Sequence, residues 1–118
     1  MPYSIAFQDH FSNPRNVGEL DDATHTAEET NPVCGDRLRL SLRLADNRIV
    51  AARFLAYGCP PTLACGSVLT EMIEGKTVEE AFLITRNDII NAIGKLPSRK
   101  SHAAALAFEA LRAALQAK

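Results

Sequence analysis

Arg37-Leu38-Arg39-Leu40-Ser41-Leu42-Arg43-Leu44 decides how this chain folds, because leucine occupies every second position without a break. Successive side chains of a strand point to opposite faces, so the stretch predicts a half-buried strand with its leucines inward. Arg37, Arg39, Ser41 and Arg43 then lie on the other face. Asp46-Asn47 supplies a turn, and the apolar run Ile49 to Tyr57 returns beside the first strand as an antiparallel hairpin. Gly58-Cys59-Pro60-Pro61 ends the second strand abruptly.

Downstream of the hairpin the apolar period lengthens from two to about 3.6. Val68, Leu69, Met72 and Ile73 recur at helical spacing until Gly75. Thr77 with Glu80 makes a capping box for Val78 to Leu83, and Thr85 with Asp88 opens a segment carrying Ile89, Ile90 and Ile93 before Gly94. A last helix runs from about Ser98 to Gln116, with Ala104, Phe108, Leu111 and Leu115 on one stripe. Upstream, Tyr3 to Phe11 suits a short helix that stops at Asn13-Pro14, since the residue before proline is driven out of the helical region. Asn16 to Gly18 reads as a turn, and Asp21 to Thr30 as irregular chain or a weak edge strand. Strands preceding helices predict an α+β fold, a small antiparallel sheet with helices packed on one face, forming a single domain over residues 1–118.

Composition agrees with one globular domain: of 118 residues, 47% are apolar and 23% charged. A chain of this size buries enough surface for a core without disulfide staples. Thirteen basic against fourteen acidic residues leave a net charge of −1, which removes the broad basic footprint of a nucleic-acid binder. No stretch approaches the roughly 18 consecutive apolar residues of a membrane span, and the N-terminus lacks a signal-peptide profile. Neither nucleic acid nor membrane is expected as a partner, and the expected compartment is cytoplasmic. Three cysteines, an odd number, are read as thiols that are buried or chemically used.

Two turns beside the sheet carry the chemistry. In Asn31-Pro32-Val33-Cys34-Gly35-Asp36, a bend at the glycine would turn the soft sulfur of Cys34 and the hard oxygen of Asp36 toward one point; the alternative is a buried thiol beside a turn-making aspartate. Cys59 stands where a helix begins, because Pro60 and Pro61 suit a first helical turn. The unpaired N–H groups there favour a thiolate, the form that binds metal or attacks sulfur, against an inert buried cysteine as the other reading. Cys65, inside that helix among Ala64, Val68 and Leu69, reads as buried. His10 and His25 sit in polar contexts and read as solvated surface residues. His102, in the first turn of the last helix, would meet the sheet's loops if that helix crosses the sheet, and imidazole suits zinc or iron.

Five ordered motifs together resemble the U-type iron–sulfur cluster assembly scaffolds, the IscU proteins and the N-terminal domain of NifU, over almost the whole chain. They are Asp9 to Gly18 (DHFSNPRNVG), Asn31 to Asp36 (NPVCGD), Tyr57-Gly58-Cys59, Glu74-Gly75-Lys76-Thr77, and Leu96-Pro97 through Lys100 to His102. The resemblance implies the SufE/NifU type of fold. It also implies a binding protein, not an enzyme, that takes sulfur from a cysteine desulfurase, takes up iron and passes a cluster to recipient apo-proteins. Cys34, Asp36, Cys59 and His102 are the implied ligands of iron or an iron–sulfur cluster, a two-iron cluster being one candidate, with zinc in the isolated protein. Where the family has a third cysteine after the histidine, this chain has Ala103. Pro60-Pro61 also replaces small flexible residues and stiffens that loop. Two thiolates, a carboxylate and an imidazole still complete a tetrahedral site. The alternative is a degenerate homologue acting as an interaction or sulfur-transfer partner of the desulfurase, using Arg37, Arg39, Arg43 and Lys100 as a docking face or Cys59 as a sulfur acceptor; the plainer reading of those basic residues is a solvated strand face. A homo-oligomer sharing a cluster would supply missing thiols.

Overall fold

The computed structural model describes residues 4–32, 35–94 and 102–116. Its sheet has three antiparallel strands in the order β1 (His25–Thr30), β2 (Arg37–Ala45), β3 (Arg48–Tyr57). Three of the β2 leucines face inward as expected: Leu38, Leu40 and Leu42 are fully buried, facing Ala56, Phe54 and Ala52 of β3, while Leu44 is half-buried and Ser41, on the other face, is buried as well. Asp46 and Asn47 both adopt positive φ, 53° and 66°, which gives the two-residue turn the twist its strands need. A register shift at Arg43/Leu44 then brings Ile49 opposite Leu44, and Ile49 too is fully buried.

β1 is the edge strand that its sequence signals only faintly. It pairs along its whole length with β2, from His25↔Leu42 to Thr30↔Arg37. Its residues alternate between half-buried and exposed, and its one small apolar residue, Ala27, packs against the core. The chain at residues 16–18 runs along the opposite edge, where Gly18 N–H donates to Phe54 O and Phe54 N–H to Asn16 O, so β3 is covered.

Among the described residues five helices follow the expected signals: α1 (Ile5–Ser12), α2 (Pro60–Ile73), α3 (Val78–Phe82), α4 (Arg86–Ile93) and α5 (His102–Gln116). Both capping boxes form, Thr77 with Glu80 and Thr85 with Asp88. The expected start of the last helix at Ser98 lies outside the described residues. α2 packs on β3 and α5 on β1 and β2, with α4 against both helices. Gly66 lets α2 come down onto the sheet: a Cβ there would lie 2.5 Å from the Phe54 ring. Ala104, Leu111 and Leu115 of the expected stripe are buried, and Phe108 is half-buried at its margin.

Two surface expectations need correction. His10 is buried, not solvated: its Nδ1 lies 2.7 Å from Ser67 Oγ of α2 and its Nε2 3.4 Å from the Glu71 carboxylate. Arg15 joins the same cluster, its N–H donating to Ser67 Oγ and its guanidinium pairing with Asp9 at 2.7 Å. The polar segment after α1 is therefore a clasp that fixes α1 to α2. His25 is half-buried at the sheet edge, bonded to Thr24 Oγ1. The arginine face of β2 is also not a bare cationic surface. Arg37 pairs with Glu28, Arg39 with Glu19 at 2.6 Å and Arg43 with Asp22 at 3.2 Å. Acidic residues of β1 and of the segment before it pair with all three arginines.

Candidate metal centre

The strand register builds the centre. Arg37 faces Tyr57 at the last pair of β2 and β3, so one step further Asp36 meets Gly58. Asp36 is thus the closing residue of the β1–β2 hairpin loop, held there because Asn31 N–H donates to Asp36 O and Gly35 N–H to Asn31 O. Gly58 has φ 135°, and a Cβ on it would fall on the Asp36 carboxylate. Only glycine permits both the backbone conformation and this approach. The next residue, Cys59, caps α2 with extended backbone, ahead of Pro60 and Pro61. Because α5 packs across β1 and β2, its first described residue, His102, arrives at the same end of the sheet.

Three donors of different chemistry therefore meet. Cys59 Sγ lies 3.2 Å from Asp36 Oδ2, His102 Nε2 lies 3.2 Å from the same oxygen, and sulfur and nitrogen are 4.0 Å apart. Tetrahedral bonding to one zinc, at about 2.3 Å to sulfur and 2.0–2.2 Å to nitrogen and oxygen, requires ligand–ligand separations of roughly 3.3–3.6 Å. The observed distances straddle that range by about 0.4 Å or less, so a single small cation fits with minor adjustment. Asp36 is buried at the floor, while Cys59 and His102 are half-buried at the rim, so the centre opens to solvent on one side. A cavity of about 200 Å³ adjoins it between the Thr30–Pro32 turn and the His102, Leu106 and Glu109 side of α5.

Of the four expected ligands, Asp36, Cys59 and His102 come together. Cys34 lies outside the described residues. Cys65 does not join: it is fully buried in α2, and burial pushes its thiol up to about 12. Ala103, where the resemblance implies a third cysteine, is fully buried on α5.

Sequence reasoning missed Thr62. It is fully buried in the first turn of α2, its Oγ1 donates to Asp36 Oδ2 at 3.0 Å, and Cys59 Sγ is 3.5 Å away. Its spacing of three from Cys59 is the one available signal, since residues three apart in a first helical turn share a face.

Comparison with known proteins identifies the family. The family model described as NifU-like N terminal domain matches residues 2–117. The chain is 46% identical over 113 residues to iron–sulfur cluster assembly scaffold protein IscU 1 of Archaeoglobus fulgidus, covering 96% of this chain and 74% of that protein. It is 38% identical over 119 residues to the Escherichia coli scaffold protein IscU, covering 98% and 92%. A crystal structure of a putative iron–sulfur cluster assembly scaffold protein for the SUF system from Fervidobacterium islandicum superimposes with a TM-score of 0.81, at 26% identity and 98% coverage of both chains. A hairpin-loop aspartate, a helix-capping cysteine and a helix-borne histidine at one sheet end, with a match over nearly every residue, place this chain in the NifU-like N-terminal domain family.

Proposed function

We propose that this chain is an iron–sulfur cluster assembly scaffold or carrier, and that Cys34, Asp36, Cys59 and His102 hold iron or a labile cluster as cargo. The observation that carries the proposal is the convergence of a thiol, a carboxylate and an imidazole from three separate elements, all donor atoms within 4.8 Å of one another. The scaffold role named for its relatives fits an open, rim-bound set of ligands. A structural metal is closed in by four protein ligands, whereas cargo has to leave. Cys59 and His102 are partly exposed, so a sulfur donor or an acceptor protein can reach them, while Asp36 stays fixed beneath. The role is binding and transfer without turnover, with sulfur coming from a cysteine desulfurase and recipient apo-proteins taking the product. Zinc is the expected occupant of the same donors when iron and sulfide are absent.

With Ala103 in place of a thiol, a cluster here is held by mixed ligands. Imidazole in place of thiolate raises the reduction potential of a two-iron cluster. The proposal is tested by anaerobic reconstitution with iron and sulfide, followed by visible absorption and by iron and labile sulfide analysis. Charge-transfer bands that are lost in C59A and weakened in D36A and H102A support it. Absence of bands and of bound metal in the wild-type protein contradicts it.

A further inference from the structure

One oxygen atom takes the hydrogen bonds of three side chains. Asp36 Oδ2 lies 3.2 Å from Cys59 Sγ, 3.0 Å from Thr62 Oγ1 and 3.2 Å from His102 Nε2. Two of these partners are themselves metal donors. When a cation takes the lone pairs of sulfur and nitrogen, the thiol proton leaves and the imidazole nitrogen no longer donates, so both bonds to Asp36 are given up. Thr62 is different, because a neutral hydroxyl competes poorly with thiolate and imidazole for zinc or iron and keeps its proton. Its bond to Oδ2 is the one that survives metal uptake.

We infer that Thr62 is a positioning residue for the metal centre: its hydroxyl holds Asp36 Oδ2 against the start of α2, so that the carboxylate stays aimed at the cation after the thiol and imidazole have turned away. The inference rests on the reading of Asp36, Cys59 and His102 as metal donors. The position of Thr62 explains why the hydroxyl reaches across to Asp36. A threonine in mid-helix bonds back to the carbonyl four residues earlier. Thr62 is only the third residue of α2, and its own N–H already bonds to Cys59 O at 3.0 Å. Its side chain is fully buried, so no solvent replaces the Asp36 bond. The other carboxylate oxygen, Oδ1, abuts Gly58. Each oxygen of Asp36 is therefore fixed by a different wall, Oδ1 by a backbone too close to admit a side chain and Oδ2 by a hydroxyl. Hydrogen-bond partners that orient a ligand in this way are worth about 10- to 100-fold in metal affinity.

The test is zinc titration of the metal-free chain against a chromophoric chelator, for wild type, T62V, T62A, T62S, D36A and the D36A/T62V double variant. Cobalt(II) spectra of the same proteins report the geometry of the site. T62V keeps the volume and removes the hydroxyl, T62A removes both, and T62S keeps the hydroxyl. The expected result is a loss of about 10-fold or more in zinc affinity for T62V and T62A, with shifted cobalt bands, and recovery of most of the loss in T62S. In the D36A background, T62V changes affinity by no more than about twofold, because the hydroxyl then has no carboxylate to hold. T62V binding as tightly as wild type overturns the inference, and so does an undiminished T62V effect in the D36A background, which marks a packing role. In both cases the metal reading stands. Wild-type protein that takes up no zinc overturns the metal reading and this inference with it.

Discussion

Replacing Gly58 with alanine sets a methyl group where the Asp36 carboxylate already lies. Two costs combine. The first is local, since φ at this residue is 135°, and a side chain held in so sparsely populated a region costs about 1–3 kcal/mol. The second follows from the register: Asp36 must swing aside, and the fully buried Thr62 hydroxyl then loses its acceptor, at about 1–3 kcal/mol. With partial relaxation the sum is about 3 kcal/mol, which for a domain of this size lowers Tm by roughly 10–15 °C. G75A separates the two terms, because Gly75 also has positive φ, 88°, but a Cβ there meets nothing within 4 Å. Thermal unfolding of the metal-free proteins by circular dichroism, followed by zinc titration, makes the comparison. G58A is expected to lose more stability than G75A and most of its zinc affinity, while G75A binds zinc as wild type does. If G58A is no less stable than G75A and binds zinc normally, the packing of Asp36 against Gly58 is wrong.

Further predictions concern the thiols, the clasp and the absent cysteine. Because burial holds the Cys65 thiol up at about 12, roughly one molecule in ten thousand carries its thiolate at pH 8. Alkylation of the folded protein followed by mass analysis is expected to modify Cys59, to spare Cys65, and to be slowed at Cys59 by zinc; equal rates at the two sites contradict this. Burial, with the Arg15 charge adding to it, holds His10 below its ordinary 6.5 despite the opposing Glu71 and Asp9 carboxylates. The unfolded chain therefore takes up this proton first, so the stability that the clasp provides is complete above about pH 6.5 and falls as the pH drops below it. His10→Asn is expected to flatten that limb in denaturant unfolding of metal-free protein; parallel wild-type and variant profiles refute it. Ala103→Cys adds a sulfur at a fully buried position, with an overpacking cost of about 1–3 kcal/mol to the metal-free protein. A reconstituted chromophore is expected in both proteins and to decay more slowly in the variant; a chromophore in the variant alone favours the degenerate alternative.

The hairpin was legible because the leucines of β2 alternate without interruption, and both short helices because their capping boxes are local devices that need no tertiary help. β1 was legible only as an edge-strand alternative, since HTAEET offers one small apolar residue and its pairing comes from the neighbour. Residue types at the centre were legible through the motifs, but their meeting depends on a register that brings Asp36 to Gly58 and on α5 crossing the sheet. His10 was misread because nothing in DHFSNPR shows that Ser67 and Glu71 of α2 lie across from it. The pairing of the β2 arginines was not legible, because their counter-charges, Glu19, Asp22 and Glu28, come from a stretch with weak periodicity. Thr62 was not legible, because its role depends on the Asp36 carboxylate packed opposite it, which comes from a distant strand end.

X-ray absorption at the zinc edge of the loaded protein, compared between wild type and C59A, tests the central claim most directly. A mixed first shell of sulfur with nitrogen or oxygen at about 2.3 Å and 2.0–2.2 Å, losing sulfur scattering in C59A, is the predicted result. A shell of nitrogen and oxygen alone in the wild-type protein, or a spectrum that C59A leaves unchanged, contradicts it.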